Sequence, residues 1–174
     1  LLVGQGARDA RSEVLALAQA LQAPAVLSLK AKEGLEADNP YEVGQSGLIG
    51  NPAAQKAFED CDTLVLVGTD FPYRDWYPSG KTVIQLDVAG ERIGRRVPVQ
   101  LGLVGNARAT LTALLPQLQP KQDDSHLRAC RERYESWRER QSHLADPDYD
   151  HERLGVVRKA FDNPEHAIRP EAVA

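Results

Sequence analysis

The stretch Thr63-Leu64-Val65-Leu66-Val67-Gly68-Thr69-Asp70-Phe71-Pro72-Tyr73-Arg74-Asp75-Trp76-Tyr77-Pro78 decides how the chain is read. Its opening is an apolar run of strand length that stops at a glycine, the pattern of a strand buried on both faces. The loop behind it holds a hydroxyl, an arginine and four aromatic rings. In an open parallel sheet, ligands sit outside the carboxyl ends of the strands, so this loop is a candidate ligand contact.

The same alternation continues outward. Upstream, Leu1-Leu2-Val3 ends at Gly4, and residues 7–21 set Val14, Leu17, Ala18 and Leu21 on one helical face. Ala25-Val26-Leu27-Ser28-Leu29 reads as a second buried strand, and residues 52–61 as a short helix with Pro52 in its first turn. Downstream, Thr82-Val83-Ile84-Gln85-Leu86-Asp87 is another strand, residues 99–104 a further one, and residues 106–118 a helix. Strands alternating with helices predict an α/β fold, an open, doubly wound, mainly parallel, Rossmann-like sheet over residues 1–118. Residues 30–51 show no periodicity, and a connection of that length is a second candidate for ligand contact.

Beyond Pro116 the character changes. Pro120-Lys121-Gln122-Asp123-Asp124-Ser125 breaks the pattern, with acids placed to favour a new helix start. Leu127, Cys130, Tyr134, Trp137, Gln141 and Leu144 then recur at gaps of three and four, the stripe of a helix that packs one face. The arginines and glutamates around that stripe read as a solvated, salt-bridged face. Residues 119–167 are thus expected to be a helical linker outside the sheet. A second helical pattern ends at Asn163-Pro164, and residues 168–174 start another helix.

Composition narrows the function classes. With 174 residues, 42% hydrophobic and 26% charged, the chain suits one cored domain plus an appendage. A net charge of -4 without a basic cluster argues against nucleic acid. No apolar run nears the roughly 20 residues of a membrane span, and Leu1-Leu2-Val3-Gly4 reads as a strand under way rather than a leader, as in a fragment of a longer protein. Cys61 and Cys130 stand far apart, which predicts neither a disulfide framework nor a metal site and fits a reducing cytoplasm. The histidines all fall in the last third without ligand spacing, and no nucleophile has a base beside it. The expectation is binding without catalytic residues.

Several positions carry binding chemistry. Gly4 and Gly6 lie at a strand-to-helix turn, where glycine admits a phosphate to the backbone or merely makes a tight turn. Gly47 and Gly50 flank Leu48-Ile49 just before the Pro52 helix, again a flexible backbone at a helix start. Asp87 ends a strand where an acid accepts hydrogen bonds from ribose hydroxyls, or else caps the turn that begins at Val88. Asn106 can cap its helix. Thr69 offers a hydroxyl, Asp70 follows it, and Phe71-Pro72 can stiffen the loop against a ring. Arg74 can stabilise a diphosphate or other negative charge on a ligand, or pair with Asp70 or Asp75. Trp76 and Tyr77 read as packing.

Residues 68–78 resemble a segment close to GTxFPYRxFYP in the middle domain of thiamine-diphosphate enzymes of the pyruvate oxidase and quinone-linked pyruvate dehydrogenase type. Lys32-Glu33-Gly34-Leu35-Glu36, Asp38-Asn39-Pro40-Tyr41-Glu42-Val43-Gly44, Gly47-Leu48-Ile49-Gly50 and Leu86-Asp87-Val88 through Ile93-Gly94 follow in the order that family shows. The resemblance implies that FAD is bound here by the positions named above, with the GxG turn and the Gly47–Gly50 loop near its diphosphate and Asn106 near adenine. It also implies thiamine diphosphate and magnesium in other domains of the same enzyme, a homotetramer at full length, and an enzyme able to sit peripherally at a membrane. Ala89-Gly90 replaces the family's Asn-Pro, and Asn106 its Asp. The rival expectations are a cofactor-free structural middle domain of a non-redox decarboxylase or carboligase, and a nicotinamide module, which would need a full GxGxxG.

Overall fold

A computed structural model describes residues 1–144. Strands β1 (Leu2–Val3), β2 (Ala25–Leu27), β3 (Glu42–Gln45), β4 (Thr63–Val67), β5 (Thr82–Asp87) and β6 (Leu101–Val104) form one sheet in the order β3-β2-β1-β4-β5-β6. Every pairing is parallel. Helix α1 (Arg11–Leu21), the single turn α2 (Lys32–Leu35), α3 (Pro52–Asp60) and α4 (Ala107–Leu114) lie along the sheet sequence, and α5 (Ser125–Leu144) follows it. The chain builds outward from β1 to β3, returns to lay β4 beside β1, and builds outward the other way. The order therefore reverses between β1 and β4, the place where doubly wound sheets open a crevice.

Consecutive strand residues point to opposite faces. Val3, Leu27, Val67 and Leu86 join Val14, Leu17 and Ala18 of α1 and Leu111 of α4 in one buried cluster. Leu2, Val26, Leu64, Leu66 and Val83 join Ala54, Ala57 and Phe58 of α3 and Cys130 and Tyr134 of α5 in the other. Burial on both faces is why β4 reads as an unbroken apolar run. Asn51 accepts the Ala54 N–H at 2.9 Å and Asn106 the Ala109 N–H at 3.2 Å, so both helix starts are capped from sequence-local residues.

The structure corrects the sequence in four places. Strand β3 lies within residues 30–51, where no strand is predicted, because Glu42-Val43-Gly44-Gln45 is neither an apolar run nor an alternating one. Gly44 there has φ 95°, and a Cβ on it would fall 1.7 Å from Asn51 Nδ2. Strand β2 stops at Leu27, and Leu29 turns out to 60% exposure instead of closing a buried strand. The helix expected over 7–21 opens as a six-residue 3-10 turn, Gln5–Ala10. The helix expected over 106–118 ends as another 3-10 turn, Leu115–Gln117.

The unit holding the sheet spans Leu1–Trp137, and a second unit begins at Arg138. Within the first, the polar face of α5 is only partly solvated. Arg128 pairs with Asp124 and Arg131 with Glu135 along the helix. Arg131 also donates to the Glu42 carbonyl, Arg133 pairs with Asp60 of α3 at 2.9 Å, and Tyr134 Oη donates to Glu42 Oε1 at 3.1 Å. Burial pushes the Glu42 carboxyl above its usual range, and the Tyr134 hydrogen bond opposes that shift. In the second unit, Ser142 donates to the Glu139 carbonyl at 2.7 Å. The helical pattern ending at Asn163-Pro164 and the start of the helix at 168–174 lie outside the described residues. Among the described residues no helix is long and apolar enough to cross a membrane, and no cluster of His, Cys, Asp and Glu could hold a metal ion.

Candidate functional site

A cleft of about 940 Å³ runs across the carboxyl ends of the strands and straddles the β1/β4 reversal. That volume lies in the range of small-molecule and cofactor clefts, about 300–1,000 Å³. Gly6 follows β1, Thr69 to Pro72 follow β4, Asp87 and Val88 end β5, and Asn106 follows β6, and all of them line it. The strand-end rule thus brings together residues that the sequence separates by as much as the length of the sheet domain.

Asp87 is the decisive group. Its side chain is 2% exposed, and Oδ1 accepts the Ala89 N–H at 2.9 Å, fixing the turn. Oδ2 is buried without a hydrogen-bond partner in the protein. The guanidinium of Arg92 stands 3.9 Å from Oδ1, half exposed on the cleft wall. Oδ1 takes the turn-cap role read from the sequence, and Oδ2 stays without a partner in the protein.

The rest of the β4 loop is organised inward. Arg96 grips Asp70 with two hydrogen bonds of 2.8 and 3.2 Å, and Arg95 adds an ion pair at 3.3 Å. The Arg96 guanidinium holds the Asp70 carboxyl below its usual range. Phe71 is buried edge-on against Tyr73 and Tyr77, at centroid distances of 5.2 and 5.7 Å. Tyr77 Oη donates to the Phe71 carbonyl at 3.0 Å, and burial raises its hydroxyl pKa. Thr69 is buried at the cleft floor. Arg74 does not line the cleft. It donates to the Arg95 carbonyl at 3.0 Å, which matches neither expectation for it, since Asp70 takes its partners from Arg95 and Arg96.

The first glycine turn is also committed internally. A Cβ on Gly4 would fall 2.3 Å from the Gly68 carbonyl oxygen, so glycine is required for the ends of β1 and β4 to touch. The Gly4, Gly6 and Ala7 N–H groups donate to Val67, Gly68 and Gly4 carbonyls at 2.9, 3.0 and 3.1 Å. They are spent before any phosphate arrives. Gly47 and Gly50 border a smaller chamber rather than the main cleft. Lys32 pairs with Glu36 at 2.8 Å.

Ser28 and Leu29, which follow β2, and Arg8 also line the cleft and were not singled out in the sequence. Lys30, Leu48 and Ile49 line it from within the stretch 30–51, expected as a whole to contact a ligand. The strand-end rule flags Ser28 and Leu29 once β2 is known to stop at Leu27. Arg92 has no local signature, because its place beside Asp87 depends on the Gly90–Arg92 turn.

Residues 1–114 match the family described as thiamine pyrophosphate enzyme, central domain. The chain is 46% identical over 139 residues to an uncharacterised 42.6 kDa protein of Pseudomonas amyloderamosa, covering 80% of this chain and 35% of that one. It is 39% identical over 137 residues to YdaP of Bacillus subtilis, whose name carries an inferred thiamine pyrophosphate, covering 79% and 24%. Pyruvate oxidase of Lactiplantibacillus plantarum is 26% identical over 147 residues, covering 82% and 24%, and relatives at similar distance are named acetolactate synthase and sulfoacetaldehyde acetyltransferase. The chain spans about a quarter to a third of the length of the first two relatives.

Proposed function

Because the chain belongs to the family of thiamine pyrophosphate enzyme central domains, we propose that its cleft holds the FAD of a thiamine-diphosphate-dependent pyruvate oxidoreductase. The observation that carries this reading is Asp87 Oδ2, a buried carboxylate oxygen with no partner in the protein, on the wall of a cleft at the strand-order reversal. A ribose hydroxyl supplies the donor that this oxygen lacks. The side chains present therefore fit the adenosine half of a dinucleotide: Asp87 takes the ribose, and Asn106 and Val88 border the space beside it.

In the whole enzyme, pyruvate and water would become acetate and carbon dioxide, with two protons and two electrons released. With phosphate in place of water the product would be acetyl phosphate. Thiamine diphosphate with magnesium, in other domains of the polypeptide, would supply the decarboxylation chemistry, and FAD held beside Asp87, Val88 and Asn106 would supply the electron acceptor, ahead of quinone or oxygen. This domain contributes no catalytic side chain. It binds, orients, and keeps water from one face of the cofactor. The enzyme is cytoplasmic and homotetrameric on this reading, with the quinone-linked type peripheral at a membrane.

One observation favours the rival, a cofactor-free structural domain of a non-redox relative: the amides at Gly4, Gly6 and Ala7 are all engaged within the protein. Titration of the full-length apoprotein with FAD and with ADP separates the two. Saturable binding of both supports the dinucleotide cleft, and binding of neither supports the structural domain.

A further inference from the structure

Strand β3 is one edge of the sheet, and α5 lies against it. A bare edge strand offers unpaired N–H and C=O groups to any other chain. Here its carbonyls are taken from two sides. Arg131 of α5 donates to the Glu42 carbonyl, Asn51 Nδ2 to the Val43 carbonyl at 3.5 Å, and the Asn51 N–H to the Gln45 carbonyl at 3.0 Å. Gly44 leaves room for the helix, since a Cβ there would fall 3.0 Å from Tyr134 Cε2. Tyr134 in turn stacks on Trp137, with ring centroids 5.9 Å apart.

The helix is held at few points. Within 125–142 only Cys130 and Tyr134 are buried, with Trp137 partly so. The Arg133–Asp60 ion pair is partly exposed, where such pairs add little. At the centre of the contact, Tyr134 Oη donates to Glu42 Oε1 at 3.1 Å, and Glu42 is 5% exposed. Among the described residues no basic side chain pairs with that carboxylate. Arg131 of α5, which faces it, gives its two terminal nitrogens to the Glu42 carbonyl and to Glu135. Glu36, just after α2, faces it as a like charge and is itself paired with Lys32. The Gly44 amide and Ala25, its neighbour in register on β2, bring no charge. A buried carboxylate whose partners are a hydroxyl and an amide is costly to ionise. A helix with so few buried side chains belongs to the elements that open before the whole fold does.

We propose that Glu42 and Tyr134 form an acid-tightened clasp, which fastens residues 125–137 of α5 to the β3 edge and loosens as the carboxylate ionises. Released, Glu42 stands in water on an open strand edge with an ordinary carboxyl pKa, whereas burial in the docked state raises it above 4.5. Docking is therefore tightest below pH 4.5, where both states are protonated, weakens as pH rises through the docked value, and levels off beyond it. The protonated carboxyl keeps an acceptor oxygen for the Tyr134 hydroxyl. Helix α5 runs unbroken from Trp137 into the second unit at Arg138, so the clasp sits at the root of that connection. It does not depend on what the cleft binds.

Hydrogen exchange read by mass spectrometry on the full-length protein, from about pH 4 to about pH 8 and expressed as protection factors, tests the clasp in the parent, Glu42→Gln and Tyr134→Phe. Amides of residues 126–137 are expected to open more readily than those of β4, with protection that falls as pH rises through the window above. In Glu42→Gln, which keeps an acceptor but cannot ionise, that fall should vanish. Tyr134→Phe keeps the ring and removes the hydroxyl. It should cost α5 roughly 10- to 100-fold in protection where Glu42 is charged and about 3- to 10-fold where it is protonated, the worth of a charged and of a neutral hydrogen bond. Equal protection of α5 and β4 amides at every pH would overturn the clasp as a separate device. The same pH dependence in Glu42→Gln as in the parent would overturn Glu42 as its sensor, and an equal loss at both ends of the range in Tyr134→Phe would overturn the hydrogen bond as its fastening. Both substitutions conserve shape, and slow exchange of the β4 amides in the same spectra certifies that the fold persists.

Discussion

Replacing Asp87 tests the cleft most directly, because its two oxygens do different things. Oδ1 satisfies the Ala89 N–H at 2.9 Å, and Oδ2 has no partner in the protein. A hydrogen bond from a ribose hydroxyl to a buried carboxylate is worth about 1.5–3 kcal/mol, which at about 1.4 kcal/mol per decade gives roughly one to two decades of affinity. Asp87→Ala should lose the upper part of that range, and it also strands the Ala89 amide, lowering stability by about 1–3 kcal/mol. Asp87→Asn keeps an oxygen for that amide, and its NH2 can donate where the carboxylate accepted. Its loss should therefore sit near tenfold, with little change in melting temperature. Calorimetry with FAD, ADP and riboflavin on the full-length apoprotein reads the difference. FAD and ADP share the ribose and should weaken by the same factor, while riboflavin, which lacks the adenosine, should not respond. Parallel loss of riboflavin in Asp87→Asn, or undiminished ADP binding in Asp87→Ala, would refute the placement of the ribose at this oxygen.

The remaining expectations concern the framework. Gly4→Ala drives a Cβ to within 2.3 Å of the Gly68 carbonyl oxygen, so chemical denaturation should show a loss of at least about 1–3 kcal/mol. Asp70 has a folded pKa below its ordinary 3.8, so its pairing stabilises the fold above that value and the benefit fades as pH falls through the folded pKa. Arg96→Met should lower the melting temperature at neutral pH, and its curve should converge with that of the parent protein under strong acid. Glu42 has the opposite sign: with a folded pKa above its usual 4.5, the buried carboxylate is penalised above the folded value and not below 4.5. Glu42→Gln keeps an acceptor for the Tyr134 hydroxyl and should raise the melting temperature at pH 7, with the gain vanishing as pH falls below 4.5. Arg74→Ala removes a guanidinium contact to the Arg95 carbonyl outside the cleft lining, so FAD affinity should change less than about threefold, roughly 0.6 kcal/mol.

Residues 63–78 were enough to place a buried strand and the loop at its carboxyl end, because two-sided burial writes itself as an apolar run and a strand end is marked by glycine. The caps at Asn51 and Asn106 were equally legible, since a cap bonds an amide only three residues away. Strand β3 was not, because it is a short edge strand whose glycine and glutamate answer to Asn51 and Tyr134 rather than to a sheet periodicity. The candidate site divides along the same line. The sequence by itself determined that Asp87 ends a strand and that an aromatic loop follows β4. Tertiary structure alone decided that Gly4 is needed for contact with Gly68, that Asp70 belongs to Arg96, that Arg74 stands outside the cleft, and that one oxygen of Asp87 is left over. The Asp70 and Glu42 contacts join residues 26 and 92 positions apart, a range at which local pattern carries no information and only the closure of the sheet determines which side chains meet.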